Sequence, residues 1–271
     1  MSKERNEERA TPALVALLDA AEELSGARQL RKRAYELLGA GPGSRVLDVG
    51  CGAGRAVDES VRRGVEVVGV DPDERMIEVA RSRWPERDFR RADARRLPLP
   101  DACVDGYLAD KVFHELRAPE QALVEARRVL APGGRIVLVG QDWDAFVIDS
   151  DDPALTRTIV WARADPIAGP RNARRYRNLL LDAGFGDVTV EARMEIFTDA
   201  PMLPMVAGLA EKACATGAVT RVRPDAWIAE QRERAEADRM FVALPMFVAA
   251  GTAPRRAGSD PIAAYRGAGP R

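Results

Sequence analysis

The strongest chemical signal in the chain is the run Val46-Leu47-Asp48-Val49-Gly50-Cys51-Gly52-Ala53-Gly54. An apolar strand runs into a glycine-rich turn and then into a helix. Glycine lets the backbone turn sharply and lets a ligand approach the main chain. In open α/β sheets a ligand lies beyond the carboxyl ends of the strands, so this loop is well placed to meet one. A glycine loop alone decides little. The dinucleotide pattern GxGxxG needs its third glycine at position 55, which is Arg55, whereas the glycines here fall at 50, 52 and 54. The triphosphate-binding pattern GxxxxGK followed by Ser or Thr is absent, which leaves nucleoside-triphosphate hydrolysis unsupported.

Three acids add to the loop. Asp71 ends the second apolar strand, 21 residues after Gly50, where a carboxylate can accept hydrogen bonds from both hydroxyls of a ribose. Asp93, in Ala92-Asp93-Ala94, follows the third strand and could face an adenine amino group. Asp48 precedes the loop and could orient it or meet an ammonium group. Taken singly, each aspartate is equally well a helix N-cap or a turn residue. Together, each at a strand end and in this order, they favour a site.

The elements that must position these residues can be read from periodicity. Leu14, Leu17, Leu18, Ala21 and Leu24 fall on one face of a helix; Ser25-Gly26 interrupts the pattern; a second helix from about Ala27 carries Leu30, Ala34, Leu37 and Leu38. The Gly39–Gly43 stretch ends it. Strands are predicted at 45–49, 65–70, 88–91, 103–108 and 135–140, with helices after the loop to about 63, at 74–83 and at 119–130. A helix at 176–183 and an alternating strand at 188–196 follow. The run 240–249 reads as a seventh strand, which Pro245 would confine to an edge or a bulge. Two helices, roughly 202–216 and 224–238, form an insertion that could cover a site. Alternating β and α segments imply right-handed crossovers and a mostly parallel sheet with helices on both faces. The first nine residues are charged and expected to fray, and the Gly/Pro/Ala/Arg-rich end from about Thr252 is expected to be flexible.

Composition narrows the partners. The 271 residues carry 41 Lys+Arg, 42 Asp+Glu and one His, a net charge of −1, which argues against a strongly basic nucleic-acid binder. No run of about 18 apolar residues exists, so no membrane span is expected. The polar start lacks an apolar signal core, so a cytoplasmic protein is expected. Cys51, Cys103 and Cys214 are far apart with no CxxC or CxxH. They read as free thiols, and no Cys/His zinc site, nor any other metal site, is expected.

With these residues in hand, the chain resembles a class I S-adenosylmethionine-dependent methyltransferase, of the small-molecule and quinone methyltransferase kind. The matching stretches are VLDVGCGAG (46–54), VVGVDPDERMIEVAR (67–81), RADARRLPLPDACVD (91–105) and RRVLAPGGRIVLV (127–139). The resemblance implies a Rossmann-like, seven-stranded, mostly parallel α/β sheet. It divides the chain into N-terminal helices (1–40), a cofactor-binding core (41–199), a helical insertion or lid (200–239), the last core strand (240–252) and a tail (253–271). It implies S-adenosylmethionine as cofactor. Gly50, Cys51 and Gly52 would pass its methionine part, Asp71 would hold the ribose with Pro72 beside the adenine, and Asp93 and Ala94 would bind the adenine edge. Asp110 would lie near the methionyl end, as would a basic residue of the entry helix such as Arg31, with Arg28, Lys32 and Arg33 as competitors. Related families often carry a histidine one position after His114, where this chain has Glu115.

On the acceptor side, methyl transfer from a sulfonium is an in-line displacement, so the protein mainly has to position a small-molecule acceptor. An acceptor hydroxyl can also need a base, and His114 is a candidate, with a helix residue that merely packs or faces water as the alternative. Asp142 and Trp143 follow the fifth strand and could border the acceptor pocket. Tyr176 and the cluster Arg171, Arg174, Arg175 and Arg177 could bind an anionic acceptor or form a solvated helix face. The acceptor atom, oxygen, nitrogen or carbon, stays open. The competing functions are a non-methylating S-adenosylmethionine-binding member of the fold and a nicotinamide oxidoreductase. The missing third glycine and Asp93 count against the oxidoreductase.

Overall fold

The computed structural model describes residues 25–198, 200–220 and 222–255, together with residues 15, 16, 19, 22 and 23. The charged start, most of the first expected helix and the tail expected beyond residue 255 lie outside the described residues. Helix α1 (Ser25–Leu38) leads into β1 (Arg45–Val49), α2 (Arg55–Val61), β2 (Glu66–Asp71), α3 (Glu74–Arg83), β3 (Asp88–Arg91), β4 (Val104–Asp110), α4 (Pro119–Val129) and β5 (Leu130–Gln141). The second half comprises β6 (Val147–Ile148), α5 (Pro153–Ala164), α6 (Tyr176–Asp182), β7 (Gly186–Phe197), α7 (Leu203–Ala215), α8 (Val222–Glu236) and β8 (Val242–Thr252).

Strands β1 to β5 are mutually parallel in the order β3-β2-β1-β4-β5, and antiparallel β8 adds to β5. Chain order reverses between β1 and β4, which puts the opening of the sheet beside the glycine loop. Side chains alternate between two apolar layers. Leu47, Tyr107, Ile136 and Leu138 face the layer built with α4 and α6; Val46, Leu108, Val137 and Val139 face the layer built with α1, α2 and α3. Both faces are therefore covered, as a parallel sheet requires.

Two features differ from the sequence expectation. Eight strands form instead of seven; the additional one is the two-residue β6, which pairs Val147 with Ala243 and Ile148 with Val242. Pro245 does not mark an edge either. Strand β8 pairs β7 along one side, and along the other it pairs β5 over Met246–Thr252 and then β6 over Val242–Ala243. Pro245 falls in the break between β5 and β6. Its carbonyl accepts from the Asp142 amide there at 3.3 Å, and its missing N–H faces the same gap, so no ladder bond is lost.

A third apolar cluster forms a helical cap from α5, α7 and α8, with Leu155, Ile159, Leu209, Trp227, Met240 and Val242 at its centre. Helix α5 was not anticipated. It starts at Asp152, whose carboxylate accepts from the Leu155 amide at 2.9 Å, with Pro153 in the first turn. Trp227 on α8 is 2% exposed, and its indole N–H donates to Thr156 Oγ1 on α5 at 2.9 Å. Trp227→Ala should destabilise the protein by about 3–5 kcal/mol in denaturant unfolding. Trp227→Phe should cost about 1 kcal/mol, because only the hydrogen bond and part of the ring are lost.

Candidate active site

The turn after β1 is fixed by β2. The amides of Gly50 and Cys51 both donate to the Val70 carbonyl, at 2.7 and 3.0 Å. Gly50 has φ 73°, and a Cβ there would lie 2.3 Å from Val112 Cγ2, so only glycine fits. Gly52 has φ 51°, with no atom within 4 Å of where its Cβ would stand, so this backbone borders open space. The Gly52 amide donates to Asp71 Oδ2 at 3.1 Å, and the Asp73 amide donates to Asp71 Oδ1 at 2.8 Å. Pro72 is exposed beside Asp71.

A charged cluster faces this loop. Asp48 is 5% exposed, and its Oδ2 has no partner among the described residues. Burial, reinforced by Asp110, Asp71 and Glu22, pushes its pKa up to about 8. Asp110 ends β4, with Oδ2 3.4 Å from Lys111 Nζ and Oδ1 buried without a partner. Burial also raises its carboxyl, against the pull of Lys111. Burial alone would lower the Lys111 ammonium, but Asp110 and Glu22 hold it up. Lys111 Nζ donates to Glu22 Oε1 at 2.8 Å, and its backbone is left-handed at φ 58°, a conformation that persists only where the surroundings impose it. Arg31, 7% exposed, binds Glu22 as well and donates to Glu59 Oε2 at 2.9 Å. Glu195 of β7 approaches from the far side. Burial raises it, and its Oε1 has no partner.

Asp93 sits apart from that cluster. Arg95 embraces it from one side, its Nε donating to Oδ1 at 2.9 Å and its Nη2 to Oδ2 at 2.6 Å, and the Arg95 hydrogen bond holds the carboxyl below its usual range. Ala94 is buried at 6%.

Beyond β4 and β5 lies an aromatic group. The His114 ring is 5.5 Å from that of Trp143, and Trp143 stacks on Phe146 at 5.7 Å. His114 Nε2 is 3.3 Å from Glu115 Oε1, while Nδ1 is buried without a partner, as are Gln141 Oε1 and Trp143 Nε1. Asn172 fixes the turn that carries His114 by donating to the Phe113 and Leu116 carbonyls at 2.8 and 3.0 Å. Two expected pocket residues sit elsewhere. Asp142 is 1% exposed, clasped by Arg174 and by the Asp144 amide, so its oxygens are spent on the protein. Tyr176 is 1% exposed, edge-on to Phe113, with its hydroxyl 3.4 Å from the Val139 carbonyl. Arg171, Arg174 and Arg175 pair with Asp144, Asp142 and Glu120.

Glu22, Lys111, Gln141, Glu195 and Asn172 were not singled out from sequence. Lys111 follows Asp110 directly and carried a readable signal. Glu195 lies far along the chain, and only the β7–β8 pairing brings it to the site.

Against this geometry the comparisons are consistent. A family profile described as a methyltransferase domain matches residues 47–138. An uncharacterised 37.1 kDa protein in transposon Tn4556 of Streptomyces fradiae is 34% identical over 253 residues, which cover 89% of this chain and 72% of that one. The demethylmenaquinone methyltransferase of Renibacterium salmoninarum is 35% identical over 111 residues, 41% of this chain and 47% of its own length. The crystal structure of YcgJ from Bacillus subtilis superposes with a TM-score of 0.59 at 18% identity, covering 84% of this chain and 99% of that one. The chain carries an S-adenosylmethionine-dependent methyltransferase domain on a Rossmann-like fold, and S-adenosylmethionine is its cofactor.

The residues present fit that cofactor. The open face above Gly52 admits a ligand to the backbone, and the unpartnered oxygens of Asp48 and Asp110 are acceptors suited to an ammonium group. Asp48 also makes a stability prediction. A carboxyl raised from 3.8 to about 8 binds protons better folded than unfolded, so stability falls as pH rises from about 4 to about 8. Asp48→Asn removes this slope. Its melting temperature should exceed that of the parent by at least about 3 °C at pH 8.5 and approach it at pH 5, measured by thermal scans across pH.

Proposed function

We propose that this enzyme methylates a small organic acceptor bound between the strand ends and the helical cap, and that it works in the cytoplasm without nucleic acid or membrane as partner. The observation that carries the reading is the grouping of unsatisfied polar atoms. Six of the eight buried side-chain atoms without a partner among the described residues are Asp48 Oδ2, Asp110 Oδ1, His114 Nδ1, Gln141 Oε1, Trp143 Nε1 and Glu195 Oε1. All belong to the carboxyl ends of β1, β4, β5 and β7 or the segments that follow. Buried polar groups are normally satisfied, so such a grouping marks the place where a ligand completes the bonding. Among the described residues no helix is long and apolar enough to cross a membrane.

S-adenosylmethionine, when bound, supplies a methyl group already activated on a sulfonium. The chain holds and orients the reactants. Asp71, braced by the Gly52 and Asp73 amides, receives the ribose hydroxyls. Gly50, Cys51 and Gly52 line the methionine part, Pro72 flanks the adenine, and Ala94 meets its edge beside Asp93, whose Oδ2 keeps the one lone pair that Arg95 leaves. Asp48 and Asp110 accept from the ammonium group. Arg31 and Lys111 share Glu22, so an incoming carboxylate displaces Glu22 from these cations. For a hydroxyl acceptor, Glu115 beside Nε2 of His114 favours a proton on that nitrogen, leaving Nδ1 to take the acceptor's proton. Trp143 borders the acceptor, and Asp142 and Tyr176 support that wall from behind.

Calorimetric titration tests the reading. S-adenosylmethionine and S-adenosylhomocysteine should bind and NAD should not, and Asp71→Ala should weaken both by about tenfold or more through loss of charge-assisted bonds. Unchanged affinity in that variant removes Asp71 from the site. His114→Ala should leave cofactor affinity within about twofold and lower turnover of a hydroxyl acceptor by about 100-fold. Full turnover in the variant removes His114 as the base.

A further inference from the structure

Among the described residues, one half-buried arginine of the cap has no hydrogen bond or ion pair. Arg163 lies on the last turn of α5, half-buried, with its guanidinium carbon 4.3 Å from the centre of the Trp143 ring. Neighbouring arginines are paired: Arg171 and Arg174 with Asp144 and Asp142, Arg223 with Asp152, Arg234 with Asp149. Arg163 differs, because among the described residues no hydrogen bond or ion pair reaches its guanidinium. Burial lowers its pKa, and Glu115 is the one acid that opposes the shift. A guanidinium carries five donors in a planar fork and stacks on aromatic rings. Here the stack is made and the donors are unspent. The Trp143 indole N–H beneath it is also buried and unpartnered.

The charges around this group have a direction. At one end stand Asp48, Asp110, Glu22 and Glu195, with Lys111 and Arg31 the cations among them. His114 stands between, its ring 5.5 Å from Trp143. At the cap end stands Arg163. The cations at that end are already engaged by Glu22, so an acceptor carrying a negative group is drawn to the guanidinium, whose donors are unspent. Its body then lies along Trp143 and Phe146, whose rings are 25° from parallel, and its far end points at His114. A planar body with an anionic group at one end and the methylated atom at the other fits all three features.

We infer that the acceptor is a planar, anionic compound such as an aromatic carboxylate, with its anionic group held by Arg163 and its ring on Trp143. The inference rests on the proposed methyl transfer at this cleft and adds the substrate class to it.

The test uses the full chain saturated with S-adenosylhomocysteine and titrated with two probes of the same shape, 6-hydroxy-2-naphthoate and its neutral methyl ester. The acid should bind at least about tenfold more tightly than the ester, and Arg163→Gln should abolish that preference without lowering cofactor affinity. Arg157→Gln, the same change on the exposed side of α5, should keep the preference. Trp143→Leu should weaken both probes together. Equal binding of acid and ester, or a preference that survives Arg163→Gln, overturns the proposal. Binding of neither probe while S-adenosylhomocysteine still binds overturns it too and leaves the methyl-transfer reading standing. Failure of S-adenosylhomocysteine to bind the parent chain brings down both.

Discussion

Everything at the cofactor end hangs on the way the end of β2 grips the turn after β1. One carbonyl, that of Val70, receives the amides of Gly50 and Cys51, and the next residue's carboxylate receives those of Gly52 and Asp73. Three consecutive donors of the turn are thereby aimed at two neighbouring residues of the adjacent strand, and the Asp73 amide braces the second of them locally. The turn can close this tightly because Gly50 lets Val112 pack where a Cβ would stand. The same bonds that shape the loop also immobilise Asp71. The proposed ribose carboxylate is thus held by the brace of its own loop.

That economy explains why this part of the site was legible in the sequence. Asp48, Gly50, Gly52, Asp71 and Asp110 are strand-end residues of consecutive βα units, and a parallel sheet sends all its strand ends to one edge. Local pattern and global position carry the same information there. Strands β1 and β3 and helix α3 fall where periodicity places them, at 45–49, 88–91 and 74–83. Pro245 broke a local rule. A proline inside a strand reads as an edge or a bulge, and the gap that accommodates it here comes from a different part of the chain, between β5 and β6. Helix α5 was readable and went unread: Asp152-Pro153 is a capped start, and Leu155, Ile159 and Ala162 repeat at helical spacing.

The proposed acceptor side was less legible for a physical reason. Its residues come from a short turn (His114), a loop (Trp143, Phe146) and two elements distant in sequence, α5 and β7. Polar type alone could not tell Asp142, whose carboxylate is consumed by Arg174, from Trp143, which is left with an unused indole N–H. Nor could it show that Tyr176 is a core residue under Gly140, where a Cβ would lie 2.4 Å from its hydroxyl. Whether a polar group serves the fold or a ligand depends on whether the fold has already satisfied it, and that is a tertiary fact.

The same accounting shows what the site costs the protein. Asp48, Asp110 and Glu195 are carboxyls that burial drives toward their neutral forms, and the nearest cations, Arg31 and Lys111, are already shared with Glu22 and Glu59. A core optimised for stability would fill these positions with apolar residues. Keeping them leaves the strand ends unfinished, with unpartnered carboxyl oxygens on the cofactor side and, among the described residues, a guanidinium without an ion pair on the cap side. In the proposed reading a bound pair of reactants finishes both ends together. Ligand binding and cap packing are then coupled through Trp143, which touches His114 on one side and Arg163 of the cap on the other. Stability withheld from the ligand-free protein becomes available as binding energy, placed where the reactants must be aligned.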